Sequence, residues 1–410
     1  MTSNQQQEEY AGNDLQQGWQ QAGPISIPAG PPPPPAIRSL HALPDDLWRY
    51  YRDLSFESQR EMDVSDPRYK AIPHAWGNAF PLDAPNGSRG SVRSSFGYPI
   101  TTYKVVSRED GHLYCLRRVD SVRSVSHKIA QVVSDMWLTA VTMPSRIAVL
   151  DHPGLVRFYQ CFVANRAVFF VHQYCPGART LRERFLGDAV RAAPLSEPII
   201  WSCVTQLVAA IRAVHGGNMA CRTLQLNHIL CHGESRIRLR INCLAVVDAL
   251  EFESRKHVGD LQTEDMRDLG RLILSLATGA EVTKNSDGNT IRRSDMYVAQ
   301  NFSAELHILI LSLLQSSKPP SIFSISTNIA QHALDELDLQ QTTLDRTEAA
   351  LSAEYDSGRA LRLLLKMAFV NERPELGRNR RWIESGDCYV LKLFRDYGAI
   401  IFHKPIFCAI

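Results

Sequence analysis

The sequence predicts an α+β fold with two lobes, and three observations indicate it. Short strand patterns fill most of residues 98–173, with one long helical pattern among them, whereas helical patterns dominate after Thr180. Hydrophobic residues make up 44% and charged residues 21% of the 410 residues, which are ordinary fractions for a folded globular chain. A chain of this length is expected to hold one large core and one or two smaller modules.

Composition excludes several classes of protein. The formal net charge of +2 gives no overall field that would attract a nucleic acid or a membrane. The cysteines are scattered without C-x-x-C spacing, so we expect reduced thiols and neither a disulfide framework nor a metal site. The opening MTSNQQQEEY lacks the pattern of a secretory leader, and no apolar run approaches the length of a membrane span. We therefore expect a cytoplasmic or nuclear protein that does not engage a membrane.

The N-terminal region divides into two segments. Residues 1–36 form a predicted disordered arm rich in Gln and Pro, which serves either as a spacer or, through Pro31–Pro35, as a ligand for a proline-recognising partner. Residues 37–85 form a predicted ordered extension that begins with a short helical pattern over residues 43–54. We expect this extension to wrap around a larger domain.

The larger domain is predicted over residues 86–320, and it starts with strands. A Glu109-Asp110-Gly111 turn joins the first two strands into a hairpin. The predicted elements before Thr180 are the strands Tyr98–Val106 and Leu113–Val119, a helix from Ser124 to Ile147, and the strands Leu155–Val163 and Ala167–Gln173.

Four segments of this domain resemble protein kinases, in the order and at the spacing that kinases show. Asp151–Arg157 resembles the turn before the fourth strand of the small lobe, and Val168–Gly177 resembles the fifth strand with the hinge. Cys221–Leu230 aligns without gaps to the catalytic loop H-R-D-L-x-x-x-N. Asp265–Gly270 resembles the start of the large helix in the helical lobe. Together these segments predict a two-lobed protein-kinase-like fold.

The parts that phosphoryl transfer requires are missing from these segments. The catalytic base, an Asp in kinases, is replaced by Thr223, and the metal-binding Asn is replaced by His228. Asn242-Cys243-Leu244 stands where Asp-Phe-Gly would hold Mg²⁺, and Asp248 follows too late to supply that carboxylate. We therefore predict a pseudokinase with no catalytic residues and no bound metal. The alternative is an atypical or weakly active kinase with shifted motifs.

Nucleotide binding is less clearly lost than catalysis. Arg117 occupies the position of the strand-three lysine, where a permanently charged guanidinium can contact phosphate oxygens. No glutamate between Glu109 and Glu183 can pair with it, and the Gly-rich loop is reduced to Phe96-Gly97-Tyr98. We expect ATP to bind without Mg²⁺ and without being hydrolysed. A pure interaction scaffold with a closed pocket is the other alternative.

Two segments follow the kinase-like domain. A seven-residue repeat in residues 321–357 predicts a coiled coil with the seam positions Ala330, Leu337, Leu344 and Leu351, and Leu334, Gln341, Glu348 and Tyr355. The open alternative is an amphipathic helix that packs on its own lobe. Residues 358–397 then form a predicted compact helical domain around Leu363, Leu364, Leu365, Met367, Phe369, Trp382 and Tyr389–Phe394.

This arrangement resembles the regulatory pseudokinase subunits of the PAN poly(A)-nuclease deadenylation complex. The segments that carry the resemblance are Phe96–Pro99, Tyr114–Arg118, Tyr174–Leu181, Arg238–Cys243, Asn371–Leu376 and Gly386–Tyr397. In that family residues 358–397 correspond to a C-terminal knob, so a truncated knob and a divergent tail over residues 398–410 are expected. Neither the family's N-terminal zinc finger nor a clear motif for poly(A)-binding protein is found in the sequence.

The resemblance implies a non-catalytic regulatory subunit that scaffolds another subunit's chemistry. It implies an asymmetric homodimer through the coiled coil, binding of the catalytic exonuclease subunit through the knob, and recruitment of poly(A) RNA and poly(A)-binding protein for mRNA decay. MicroRNA-silencing scaffold proteins are further candidate partners, and the expected location is the cytoplasm, including P-bodies. The residues implied to contact ATP are Arg117, Gln173, Tyr174, Cys175, Pro176, Gly177, Ala178, Arg179, Thr180, Asn227 and His228.

Overall fold

The computed structural model describes residues 45–83, 96–143, 145–186, 195–233, 236–254 and 256–371. These residues fall into two units, one covering Asp45–Asp345 and the other beginning at Arg346. The predicted arm, most of the predicted knob and the predicted tail lie outside the described residues.

The first half of the first unit contains a five-stranded sheet and two helices. In chain order, its main elements are α1 (Asp45–Gln59), β1 (Trp76–Pro81), β2 (Ile100–Ser107), β3 (Leu113–Asp120), α2 (His127–Leu138), β4 (Val141–Thr142), β5 (Ile147–Ala148), β6 (Phe158–Ala164) and β7 (Ala167–Gln173). Five strands form an antiparallel sheet in the order β1-β2-β3-β7-β6. The short strands β4 and β5 form a separate hairpin.

Most of the predicted strands are present in this sheet. β7 has the predicted bounds, and β2 and β3 form the predicted hairpin, with Gly111 at a φ of +73° in its turn. β1 differs from the prediction, which places residues 76–81 in the extension. Trp76 and Ala79 are buried, and β1 pairs with β2. The kinase-like sheet therefore starts before the predicted domain boundary at residue 86.

The predicted helix from Ser124 to Ile147 is too long. In the structure α2 ends at Leu138. Val141 and Thr142 have β-branched side chains that favour extended backbone, and they pair with β5. Pro144 lacks the backbone N–H that a helix interior needs. These local preferences override the helical spacing of apolar residues.

The second half of the unit is largely helical. Its main elements are β8 (Arg179–Thr180), α3 (Leu181–Phe185), α4 (Glu197–Gly216), β9 (Ile229–His232), β10 (Arg238–Ile241), α5 (Val246–Leu250), α6 (Val258–Thr278), α7 (Gly288–Asn301), α8 (Ala304–Leu314) and α9 (Ile322–Asn328). The strands β8, β9 and β10 form a small antiparallel sheet. Among the described residues, α4 alone has the length and apolar composition of a membrane span, and 67% of its apolar stretch is buried inside the protein.

Two apolar clusters hold these elements together. The larger one joins α2, α4, α6 and α8 with the strands that face them. The smaller one lies on the five-stranded sheet, where Met62 and Ile72 of the extension pack with Tyr103, Val105 and Phe169. The extension therefore covers apolar surface of the sheet and keeps it from water.

A buried lysine ties α1 to the sheet. The Nζ of Lys104 in β2 donates hydrogen bonds to the backbone carbonyl oxygens of Ser58, at 2.9 Å, and of Arg60. These carbonyl groups lie at the end of α1, where the helix leaves its last carbonyls unpaired and attracts cations. Lys104 thus satisfies helix-end groups that no residue of α1 reaches.

The predicted coiled-coil region consists of α9 followed by a long helix, α10 (Ala330–Asn371). The helix runs without a break through Gly358, so the described residues show no interruption between the predicted coiled coil and the predicted knob. A single glycine costs a helix only about 1 kcal/mol. One glycine is therefore a weak signal for a domain boundary.

Candidate functional site

A buried carboxylate holds the loop that resembles the kinase catalytic loop. Asp265 of α6 is 1% exposed, and its two oxygens accept hydrogen bonds from the backbone N–H groups of Cys221 and Arg222, both at 2.7 Å. The ring nitrogen Nε2 of His215 lies 2.9 Å from the same carboxylate. Hydrogen bonds to an ionised group are stronger than neutral ones. They hold Arg222 at a φ of +59°, a conformation that non-glycine residues rarely adopt.

The residues at the positions of the base and the metal-binding Asn make contacts within the protein. The hydroxyl of Thr223 donates to the backbone carbonyl of Asn242 at 3.0 Å. The ring of His228 stacks on Phe96, with the ring centroids 4.5 Å apart and the planes 2° from parallel. Asn227, the neighbouring predicted contact residue, is exposed. The sequence did not predict that Phe96 stacks on His228. The one sequence signal for this contact is the presence of an aromatic residue, Phe96, in the reduced Gly-rich loop.

Asp248 also has internal partners. Its Oδ1 accepts a hydrogen bond from Nη1 of Arg222 at 3.1 Å, and its Oδ2 accepts one from the indole N–H of Trp137 at 2.9 Å. Arg222 additionally pairs with Glu251. Asp248 therefore connects α2 to the catalytic-like loop. The sequence gives no sign of this link, because Trp137 lies far away along the chain.

Arg117 is a buried cation in β3. It is 6% exposed, and its Nη1 has no hydrogen-bond partner among the described residues. Burial, together with the charge of Arg117, lowers the pKa of His172 and of His228 to about 3, so the guanidinium lies near both rings. A buried donor without an acceptor is destabilising, and a phosphate oxygen is a strong acceptor for it. The residues present therefore fit the phosphate end of a nucleotide.

The predicted hinge residues follow β7 and lead into α3. Nη1 of Arg240 in β10 donates to Oε1 of Gln173 at 3.1 Å and contacts Sγ of Cys175 at 3.8 Å. Thr180 caps α3, because its Oγ1 accepts the backbone N–H of Glu183 while the Glu183 carboxylate accepts the backbone N–H of Thr180. The side chains of these three predicted contact residues are thus engaged within the protein.

The helix α1 covers the same segment. Gly177 has a φ of +65°, and a Cβ at this position would lie 2.5 Å from Cδ2 of Leu54 in α1. The hydroxyl of Tyr174 lies 3.5 Å from the backbone carbonyl oxygen of Glu57 in the same helix. The positive φ therefore favours glycine at residue 177, and the side chain of Leu54 would have to shift if another residue stood there. Of the other predicted contact residues, Pro176 and Ala178 are half-buried and Arg179 is exposed.

Comparisons with known proteins agree on one family. The family model of the Pan3 C-terminal knob domain matches residues 322–405, a match that begins at α9 and extends beyond Tyr397. The PAN2-PAN3 deadenylation complex subunit pan3 of Dictyostelium discoideum is 34% identical over 355 residues, which cover 84% of this chain and 44% of the relative. The human subunit PAN3 is 30% identical over 395 residues, covering 88% of this chain and 42% of the relative. The chain thus spans less than half the length of these relatives.

Solved structures extend the comparison to the fold. Neurospora crassa PAN3, comprising the pseudokinase and the C-terminal part in a complex with PAN2, aligns with a TM-score of 0.73 and 26% identity, covering 87% of this chain and 84% of that one. The PAN3 pseudokinase of Drosophila melanogaster aligns with a TM-score of 0.68 and 28% identity, covering 80% and 83%. In sequence and in fold, the chain is similar to PAN3 pseudokinases over most of its length. The predicted protein-kinase-like fold and the predicted resemblance are both confirmed.

A pH-dependent stability is expected of this protein because of His228. An unfolded histidine has a pKa near 6.5, whereas the pKa of His228 is about 3, so between these values the unfolded chain binds more protons. Lowering the pH from 7 to 5 should therefore reduce the free energy of unfolding by roughly 2 kcal/mol through His228.

Urea unfolding of the wild type and His228→Gln at both pH values measures this contribution. The wild type should lose about 2 kcal/mol more than His228→Gln on acidification, whereas the variant His112→Gln, at an exposed loop position, should behave like the wild type. Equal losses in the wild type and His228→Gln would show that His228 is not held neutral by burial and Arg117.

Proposed function

We propose that this chain is a non-catalytic regulatory subunit of a PAN2-PAN3 deadenylation complex, which scaffolds the catalytic exonuclease subunit for the shortening of poly(A) tails. The observation that carries the proposal is a kinase-like loop held in place by Asp265 with the hydroxyl of Thr223 bonded to the backbone. The names of the curated relatives and the solved complex of a PAN3 relative with PAN2 support the same assignment.

The site favours binding over phosphoryl transfer. Thr223 cannot act as a general base near pH 7, and its proton is already directed to a backbone carbonyl. Both oxygens of Asp248 accept hydrogen bonds, from Arg222 and from Trp137, which supports a structural role for this carboxylate over Mg²⁺ binding. We infer that the protein lacks the catalytic base and the metal ligands of a kinase. Transfer of the γ-phosphate of ATP to a protein substrate at kinase-like rates would contradict this inference.

ATP is the proposed ligand of the kinase-like cleft. The Nη1 of Arg117, which has no hydrogen-bond partner in the described part of the chain, supports a phosphate contact. The neighbouring His228 is neutral near pH 7 because its pKa is about 3, so it adds no charge of its own. Residues 173–180 would form the hinge side of the site. Because His228 and the Asn242–Leu244 segment supply no carboxylate, the phosphates would be balanced by the guanidinium and not by a metal ion.

Thermal unfolding with ATP tests the proposed site. ATP should raise the melting temperature of the wild type equally in Mg²⁺ and in EDTA, because no metal ligand takes part. Arg117→Met should weaken ATP binding about tenfold or more, the effect of losing one charge-assisted hydrogen bond to phosphate. Arg118→Met on the same strand, where Arg118 pairs with Asp120, is the matched control and should bind ATP normally. Binding that requires Mg²⁺, or the absence of any shift, would refute the proposal.

A homodimer through α10 is part of the same proposal. The start of α10 packs on its own domain, where His332 stacks on Trp201 at 3.8 Å and Glu336 pairs with Arg236 at 2.8 Å. The apolar seam residues of the heptad repeat do not share these contacts and are exposed: Leu334 (57%), Leu337 (48%), Leu344 (57%), Leu351 (68%) and Tyr355 (61%). An apolar seam of this length in one chain supports a coiled coil with a second copy.

The double variant Leu337→Glu plus Leu344→Glu tests dimerisation and complex formation together. It should be a monomer by light scattering, because two charges would be buried at the seam in each chain. The wild type should be captured by the immobilised exonuclease subunit, and the monomeric variant should be captured poorly. Leu339→Glu, at an exposed position outside the seam, is the control and should behave like the wild type. An unchanged dimer would contradict the coiled coil, and a wild type that is not captured would contradict the proposed function.

Further partners follow from the same proposal. They are poly(A) RNA and poly(A)-binding protein, with microRNA-silencing scaffold proteins as additional candidates. The cytoplasm, including P-bodies, is the proposed location, because cytoplasmic mRNA would be the substrate of such a complex. Reduced cysteines without C-x-x-C spacing support an intracellular compartment.

A further inference from the structure

One face of the small sheet β8-β9-β10 carries a cluster of arginines next to the hinge side of the proposed nucleotide site, where Arg240 contacts Gln173 and Cys175. In the register of β9 and β10, His232 lies opposite Arg238, and Leu230 lies opposite Arg240. Residues that face each other across antiparallel strands, and residues two positions apart, project to the same side of a sheet. His232, Arg238 and Arg240 therefore share one face. The opposite face belongs to the core, and its buried residues are Ile229, Cys231, Leu239 and Ile241.

Arg184 of α3 brings a third cation close to His232, because its Nη1 donates to the backbone carbonyl of the neighbouring Gly233 at 2.8 Å and its charge contributes to the low pKa of His232. Arg238 is exposed, and Arg184 and Arg240 are half-buried. In the described part of the chain, which lacks residues 234 and 235, none of these three arginines forms an ion pair with a carboxylate. Other arginines nearby do so, as Arg182 pairs with Glu281 and Arg236 with Glu336.

His232 provides an independent sign of a ligand at this face. Its side chain is 9% exposed, and its Nε2 has no hydrogen-bond partner among the described residues. Burial and the charges of the three arginines lower the pKa of His232 to about 4, so the ring is neutral near pH 7. A buried ring nitrogen without a partner is costly, and it lies where positive charge already accumulates. An anionic oxygen would satisfy the nitrogen and balance the arginines at once.

We propose that this face binds the phosphate backbone of single-stranded RNA. Arg238 and Arg240 are two residues apart on one strand, which separates them by about 7 Å along the chain direction. Two such guanidinium groups can contact successive phosphates of an extended strand, because a guanidinium carries five N–H donors and the contacts of Arg240 with Gln173 and Cys175 use its Nη1. An isolated phosphate on a peptide would use one contact point, whereas these cations are spread along a strand.

The inference rests on the proposed function, because a deadenylase subunit handles poly(A) tails, and it assigns RNA contacts that the proposal leaves open. Contacts to phosphate hold the strand in position and carry no base specificity. Removing the arginines of this face should therefore weaken the affinity for poly(A) and for poly(U) by the same factor.

Fluorescence anisotropy of the full chain with labelled poly(A) oligonucleotide, measured over a series of KCl concentrations, tests the site. The double variant Arg238→Gln plus Arg240→Gln should bind roughly 20-fold more weakly at about 0.1 M salt, and its plot of log affinity against log salt should be shallower by about 1.4, because each phosphate contact on a single strand contributes about 0.7. His232→Phe should weaken binding without changing the slope, because the ring carries no charge. Labelled poly(U) should show the same changes.

The control variant also removes two positive charges, but from a different surface of the protein. Arg292→Gln plus Arg293→Gln replaces two exposed arginines of α7 and should leave the salt slope unchanged. An unchanged slope in Arg238→Gln plus Arg240→Gln overturns the inference, as does a wild type that binds a phosphoserine peptide at this face in preference to RNA. Capture by the exonuclease subunit is measured with the same proteins. If the wild type is captured and the salt slope of Arg238→Gln plus Arg240→Gln is unchanged, only the inferred RNA site is contradicted. If the wild type is not captured, the proposed function is contradicted.

Discussion

The buried carboxylate of Asp265 is the interaction on which the kinase-like arrangement depends. It accepts the backbone N–H groups at the start of the catalytic-like loop and contacts the ring of His215. The loop in turn places Arg222 against Asp248, and Asp248 reaches Trp137 of α2. A chain of charged and polar contacts thus connects the helical lobe to the small lobe. None of these contacts requires a nucleotide or a metal ion, so the frame of a kinase can persist in a protein that performs no phosphoryl transfer.

Around this frame, the remaining parts of the site favour binding and assembly. The buried Nη1 of Arg117 has no hydrogen-bond partner among the residues that the structure describes, while the hydroxyl of Thr223 donates to the backbone carbonyl of Asn242. The extension closes over the hinge side, where Leu54 contacts Gly177, and Lys104 fixes the end of α1 to the sheet. The heptad seam of α10 and the arginine face of the small sheet then present two further surfaces, one apolar and one cationic. Under the proposed function, these surfaces would serve the assembly of other macromolecules, a role that needs no catalytic base.

The sequence predicted the fold well where information is local or follows a known motif, as the bounds of β7 and the hairpin turn at Gly111 show. Arg117 and His228, which their motif positions assign to one site, lie near each other, and their contact with ATP stays a prediction. What the sequence missed depends on contacts between distant parts of the chain. The Lys104 cap of α1, the link from Trp137 to Asp248 and the contact of Leu54 with Gly177 leave no periodic signal. The end of α2 was missed for the opposite reason, because local β-branched residues and a proline override an apolar spacing that continues beyond them.

The most direct test of this account is the free energy of unfolding of Asp265→Asn. Asparagine keeps the shape of the side chain, but its amide nitrogen cannot accept a hydrogen bond, so one buried N–H group loses its partner and the charge is lost. Denaturant unfolding should show a loss of about 3 kcal/mol or more, with faster hydrogen exchange at the backbone amides of Cys221 and Arg222. Asp260→Asn, at an exposed position of the same helix, should be nearly neutral. Wild-type stability and unchanged exchange at these amides in Asp265→Asn would contradict the account.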